Sequence, residues 1–203
     1  MSLRKPVPPG RDLSRMLVTA ALALAAALLL SLEGCGGGGS DSPGSTQNAA
    51  SANAMPTDAT CSLPDFSAEL LQRVNALRAA GATCGTTAYP SASPLAWNAA
   101  LTQASALHSQ DMATANYFTH NSQDGRTPGD RITAAGYAWQ TYGENIAAGY
   151  DTVQAAVDAW IASPGHCANL MNAAFRDIGV ACVPRVGSST YRTYWTMDLG
   201  ATR

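Results

Sequence analysis

An α+β fold is predicted by a change of periodicity along the chain and by the absence of any repeat. Apolar residues recur at helical spacing between residues 66 and 162, whereas residues 178–199 read as strands. Helices first and strands last is the order of a layered α+β domain rather than of alternating βαβ units. No internal repeat and no heptad runs through the 203 residues, which removes solenoids and coiled coils.

Each element has a local reason. Asp65 or Ser67 can cap a first helix to about Ala80, with Phe66, Leu70, Val74 and Leu77 on one stripe and Gly81 as its stop. Asn98 caps a second helix to about Asn116, whose stripe is Leu101, Ala104, Met112 and Ala115, with His108 on the same face. Thr127-Pro128 is a cap followed by proline at the first helical position, opening a short third helix that ends at Gly136. Thr152 begins a fourth, with Val153, Val157, Trp160 and Ile161 facing inward and Ser163-Pro164-Gly165 ending it. A short helical turn follows His166. Residues 178–183 read as a strand. In residues 193–199, Thr193, Trp195, Met197 and Leu199 alternate with Tyr194, Thr196 and Asp198, which reads as a half-buried strand closing a hairpin through residues 184–189.

Residues 1–34 stand apart from that domain. Arg4, Lys5, Arg11 and Arg15 precede or open an apolar run over residues 16–30. The run is short of the ~20 residues a membrane span needs and suits a secretory signal. Ser31-Leu32-Glu33-Gly34-Cys35 resembles a bacterial lipoprotein cleavage site, although Glu33 stands where a small residue is usual. The resemblance implies that Cys35 becomes a diacylated N-terminus anchored in a membrane. A plain signal cleavage would instead leave Cys35 as an odd thiol. Gly36 after the cysteine resembles the outer-membrane sorting class. Residues 35–60, rich in Gly, Ser, Ala, Asn and Pro, read as a flexible tether. The domain is then 61–203, long enough to bury roughly two-thirds of its unfolded surface.

Cysteine usage and charge set the compartment and exclude one class of partner. Cys61, Cys84, Cys167 and Cys182 form an even set with no CxxC spacing, as expected of disulfides in an oxidising compartment. Three connectivities are open. Sequence-local pairing, Cys61–Cys84 with Cys167–Cys182, would close short loops that contribute ~3 kcal/mol each. From Cys35 onward eight Arg face twelve Asp and Glu, a formal net charge of −4, and no basic patch is available for phosphates. Nucleic-acid binding is excluded on that ground.

The chemistry-bearing residues come from three segments: Tyr117-Phe118-Thr119-His120, Gly143-Glu144-Asn145-Ile146-Ala147, and Trp160-Ile161-Ala162-Ser163-Pro164-Gly165-His166. His120, His166 and Glu144 are two imidazoles and a carboxylate, enough to ligate a divalent ion such as Zn²⁺ with a position open to water. Glu144 can also orient a ring by accepting its N–H. The same three residues can equally form a buried hydrogen-bond network with no ligand. Ser163, three residues before His166, is a conceivable nucleophile, and Ser163-Pro164-Gly165 serves as well to stop a helix. His108 on its apolar stripe is a packing residue. Trp97, Trp139, Trp160 and Trp195 are core or cleft wall.

Asp111-Met112, the Asn116 to His120 segment, Gly125-Arg126-Thr127, Gly143-Glu144-Asn145, Trp160 with Ser163-Pro164-Gly165-His166 and the closing Tyr194-Trp195 strand follow in an order that resembles the CAP superfamily. That superfamily holds the cysteine-rich secretory proteins, antigen 5 of venoms and the plant pathogenesis-related group one proteins. The chain is most similar to its bacterial branch, the SCP domains, over residues 66–200. The resemblance implies a three-layer α-β-α sandwich with a central antiparallel sheet. It also implies a cleft in which His120 matches the first His, Glu144 the first Glu and His166 the second His, a placement with which the spacing to Gly179 agrees. The second acidic position holds Ser163, so the set is three of four.

Three functions are therefore expected to compete. The foremost is an extracytoplasmic, lipid-anchored protein of the periplasm, outer membrane or secreted fraction. Its cleft would bind a divalent ion, a lipid or sterol-like molecule, or an envelope or host component. The second is a peptidase-like hydrolase using His120, Glu144 and His166, or Ser163. The third is a structural envelope protein.

Overall fold

The chain is described by a computed structural model over residues 2–4 and 56–203. The apolar run of the leader, the cleavage site at Cys35 and the tether up to residue 55 lie outside those residues.

The described residues form seven strands and five helices, in the order β1 Ser2–Arg4, α1 Phe66–Ala80, β2 Ala82–Cys84, β3 Thr87–Tyr89, β4 Ala96–Trp97, α2 Ala99–Ala115, α3 Pro128–Ala134, β5 Trp139–Ala148, α4 Val153–Ala162, α5 Pro164–Met171, β6 Asp177–Pro184 and β7 Thr193–Thr202. The main sheet has the order β1-β5-β7-β6-β4, with β2 and β3 forming a separate hairpin. β5, β7 and β6 are antiparallel neighbours, as the resemblance implied. The outer pairs, β1 with β5 and β4 with β6, run parallel, so the sheet is mixed.

Helices cover both faces. α1, α4 and α5 supply Phe66, Leu70, Val74, Val157, Trp160 and Leu170 to a core closed by Ile178, Val180, Trp195, Met197 and Leu199 of the sheet. α2 and α3 cover the other face through Leu101, Ala104, Met112, Ala113 and Ile132. The three-layer α-β-α arrangement is thus present.

Most element starts have the expected cause. Asn98 accepts from the backbone N–H groups of Ala100 and Leu101. Thr127 and Asp130 form a capping box at α3, and Thr152 caps α4. Asp65 does precede α1, but in a left-handed conformation and without a side-chain cap, so packing of Phe66 and Leu70 fixes that end instead. Ser163-Pro164-Gly165 ends α4 and at once begins α5, because proline suits the first turn; His166 therefore lies inside a helix rather than before one. Ala115, expected on the buried stripe of α2, is exposed.

Two expectations are corrected. β7 is buried on both faces rather than half-buried, because α2 lies across its polar side and meets Thr196 and Asp198 with Ser109 and Ser105. The disulfides are Cys61–Cys182 and Cys84–Cys167, not the sequence-local pairs. Thr60 pairs beside Cys182 on β6, and β2 lies against α5, so the strands bring distant cysteines together before near ones.

Close approach of α2 to β6 depends on Gly179, where a Cβ would lie 2.1 Å from Thr102 N and 2.3 Å from Leu101 C. Gly143 on β5 has a similar role on the other face, where a Cβ would meet the Phe175 ring at 2.9 Å.

Candidate functional site

β5, a strand for which the sequence shows no alternation, carries the centre of the site. Ile146 and Ala148 pack towards α2, whereas Ala147 packs into the α1/α4 core. By the period of two, Glu144 also points to the α2/α3 side. His120 comes from the loop after α2 and Arg131 from α3. His120 Nδ1 donates to Glu144 Oε1 at 2.7 Å, and Arg131 Nη2 donates to Glu144 Oε2 at 2.6 Å. Both carboxylate oxygens are therefore engaged.

Arg131 does more than neutralise Glu144. It also donates to the His120 carbonyl at 2.9 Å, the Arg126 carbonyl at 3.2 Å and Ser122 Oγ at 3.2 Å. The loop carrying His120 is thus wound around the guanidinium. The side chains of Arg131 and Glu144 are 3% and 2% exposed, while that of His120 is 29% exposed. A buried pair of this kind costs several kcal/mol when one partner is removed, because the other charge is left uncompensated. Burial alone would push the Glu144 carboxyl up. The hydrogen bond from His120 and the Arg131 guanidinium outweigh it and hold the group below its ordinary value.

Two further titratable groups lie behind Glu144. Asp198 is opposite it in the β5–β7 ladder. Burial, and then the Glu144 charge, raise the Asp198 carboxyl well above its ordinary value. Ser105 Oγ, 2.8 Å from Asp198 Oδ2 and 3.0 Å from the Gly179 carbonyl, can donate to either, and its bond to the carboxylate opposes that rise without cancelling it. His108 is fully buried, with Nε2 3.0 Å from the Thr119 carbonyl. A carbonyl only accepts, so Nε2 carries the proton. Burial lowers this imidazole from 6.5 to about 4, which keeps it neutral at pH 7. It is a packing residue, as its stripe predicts.

The backbone of His166, on α5, meets Asn145 of β5. Asn145 Nδ2 donates to the His166 carbonyl at 3.2 Å, and Asn169 Nδ2 donates to Asn145 Oδ1 at 2.9 Å and to the Glu144 carbonyl at 3.3 Å. His166 is fully buried and Ser163, at the start of α5, is 6% exposed. The structure therefore puts His120 and Glu144 in direct contact, and holds the His166 backbone against Asn145, the neighbour of Glu144 on β5.

Among the described residues, no group of three or more His, Cys, Asp and Glu side chains is arranged to hold a metal ion. Glu144 is committed to Arg131 and His120, so as arranged these donors do not form a three-ligand Zn²⁺ site.

Arg131, Asp198, Asn169 and Ser105 were not singled out by the sequence. Their only signal was Ser105 and Ser109 four apart on an otherwise apolar helix face, matched by Thr196 and Asp198 two apart on a strand.

Residues 71–199 match the cysteine-rich secretory protein family, CAP. The chain belongs to that family. Over 90 residues it is 40% identical to the uncharacterized protein YkwD of Bacillus subtilis, covering 44% of this chain and 35% of YkwD. An extracellular protein containing an SCP domain from Bacillus anthracis is similar in structure, with 28% identity, a TM-score of 0.52, and coverage of 69% of this chain and 44% of that one. An outer surface protein of Borrelia burgdorferi shares the fold at 18% identity and a TM-score of 0.53, over 67% of this chain and 89% of its own. NaASP2, crystallised with Zn²⁺, is a fainter likeness at 16% identity and a TM-score of 0.47, over 74% of this chain and 85% of its own. The chain spans about a third of YkwD and less than half of the B. anthracis protein.

Proposed function

We propose that this chain is an exported CAP-domain protein, anchored to a membrane through a diacylated Cys35, that binds a ligand at the His120 imidazole. The observation that carries the reading is the relay from Arg131 through Glu144 to His120. Arg131 fixes the carboxylate, and the carboxylate fixes the ring by accepting Nδ1–H. Nε2 is then the basic nitrogen of a partly exposed ring. Such a nitrogen can accept a proton or hydrogen bond, or act as a single ligand to a divalent ion. Export is supported by two disulfides and by relatives described as extracellular or outer-surface proteins.

The oxidised protein should be titrated with Zn²⁺, with a fatty acid and with sterol-containing vesicles, with His120→Ala and Glu144→Gln alongside. Saturable binding of one of these, weakened roughly tenfold or more by His120→Ala, is the expected result. Binding indifferent to both substitutions, or none from any probe, would leave the His–Glu set as a structural network.

A second reading is hydrolysis, favoured by the 2.7 Å contact between His120 and Glu144. A carboxylate-held imidazole is a competent general base for water. Turnover of a peptide or ester that vanishes in His120→Ala while folding is intact would move the function to this reading.

A further inference from the structure

We propose that Asp124 is a modification site, where the chain rearranges to an isoaspartyl linkage within the loop that carries His120. Asp124-Gly125 is the one Asp-Gly pair in the sequence, and no Asn-Gly pair occurs. A backbone nitrogen attacks the carboxyl of the preceding Asp most readily where its own residue has no Cβ to crowd the five-membered ring. Glycine is fixed at residue 125 by the backbone. Its φ is +90°, and a Cβ there would meet nothing within 4 Å, so conformation rather than crowding disfavours other residues. Both residues are exposed, with the Asp124 side chain 55% accessible, so water reaches the carboxyl and the ring it would form.

The rearrangement needs only water. The Gly125 nitrogen bonds to Asp124 Cγ, and the carboxyl OH leaves with the amide proton as one water. A second water then opens the succinimide. Attack at Cγ restores Asp124. Attack at the main-chain carbonyl carbon leaves the chain running through Cβ and Cγ, with the α-carboxylate free and the mass unchanged. The turn sets the rate, because both reacting groups are engaged. Gly125 N–H donates to the Ser122 carbonyl at 2.9 Å, and the Asp124 carboxylate accepts from Arg126 N–H at 3.1 Å and Arg126 Nε at 2.7 Å. Those Arg126 bonds also hold the carboxyl below its ordinary value and so mostly ionised, whereas the neutral form reacts. Reaction therefore follows local opening of the turn and is slower than in a free peptide. Its effect reaches the site. Ser122 N–H donates to the Arg126 carbonyl at 2.9 Å, and that carbonyl also takes Arg131, whose guanidinium holds Glu144 and the His120 carbonyl. An isoaspartyl residue adds a main-chain carbon inside this turn and withdraws the side-chain carboxylate from Arg126.

The oxidised full chain should be aged for weeks at physiological temperature and mildly acidic pH, beside Asp124→Glu and a synthetic peptide of residues 122–127. Methylation by an isoaspartyl methyltransferase, mapped after digestion, should appear at residue 124 of the protein, several-fold more slowly than in the peptide. Asp124→Glu should show none at that position, because its longer side chain would have to close a six-membered ring. Native aged protein should also be cut by trypsin after Arg126 several-fold faster than fresh protein. A chain still unmodified at residue 124 when the peptide has converted would overturn the proposal. So would modification spread evenly over the other aspartates, which means general unfolding, or equal cutting of fresh and aged protein, which means that the turn survives the change.

Discussion

His108 and Asp198 sit behind Glu144 with opposite consequences for stability against pH. His108 is held neutral in the fold, lowered from 6.5 to about 4, while the unfolded chain protonates at the ordinary value. Between those limits the unfolded state binds more protons, so this group removes stability as pH falls from about 6.5 to about 4. Asp198 has the reverse sign: raised in the fold, it costs stability above the ordinary carboxyl range and returns it on acidification. The two overlap, and wild-type stability alone cannot separate them. His108→Gln does, because the amide can still donate to the Thr119 carbonyl but does not titrate. Relative to wild type, the variant should gain on the order of 3 kcal/mol between pH 7 and pH 4, read by denaturant unfolding at each pH. An unchanged difference would mean that His108 is not buried as neutral imidazole. His120 and Glu144 were legible because they stand in motifs. Arg131 and Asp198 were not, because a single arginine in a helix and an acid in an alternating strand look like solvent-facing residues until the packing partner is known.

The helices show how far periodicity reaches. α2, α3 and α4 begin at Asn98, Thr127 and Thr152, where a capping side chain and a following apolar spacing agree. β5 was missed because Gly143, Glu144 and Asn145 interrupt any alternation, and each is set by a tertiary neighbour: Phe175, Arg131 with His120, and α5. Helix α5 was legible only as a turn. Its C-terminal carbonyls are held by Arg78, which is fully buried and donates to Leu170, Asn172, Phe175 and Ser93 carbonyls with no carboxylate among them. The sharpest element-level dependence is that of α2 on β6. With backbone atoms 2.1 and 2.3 Å from a Cβ at residue 179, the clash is with a helix rather than with a movable side chain. Gly179→Ala should cost on the order of 3–5 kcal/mol or prevent folding, measured by denaturant midpoint. Because Gly179 lies beneath Ser105 and Asp198, the same variant should disturb the Glu144 site although it touches none of its side chains. A midpoint within a few tenths of a molar of wild type would mean that the helix can move away freely.

At the scale of the whole molecule, the cysteine pairing decides how much the covalent frame contributes. Four cysteines in a sequence carry no information on partners, and only the sheet order makes the choice: Cys61 sits where the chain enters beside β6, and Cys84 sits where β2 meets α5. The pairs are 121 and 83 residues apart, so each constrains the unfolded chain by about 4.5–5 kcal/mol rather than the ~3 of a short loop. That is comparable to the entire stability of many domains. Reduction should therefore unfold the protein or bring it close to unfolding, whereas two short loops would leave more in reserve. Position matters as well as magnitude. Cys61–Cys182 ties the residues that precede α1 to β6 beside the central strand. Cys84–Cys167 fixes α5 next to His166. Non-reducing tryptic mapping tests the connectivity directly, because arginines separate all four cysteines. The expected products join the Cys61 peptide ending at Arg73 to residues 177–185, and residues 79–126 to residues 132–176. A Cys61 peptide joined to residues 79–126 would restore the short-loop pairing, and the protein should then survive reduction with most of its fold intact.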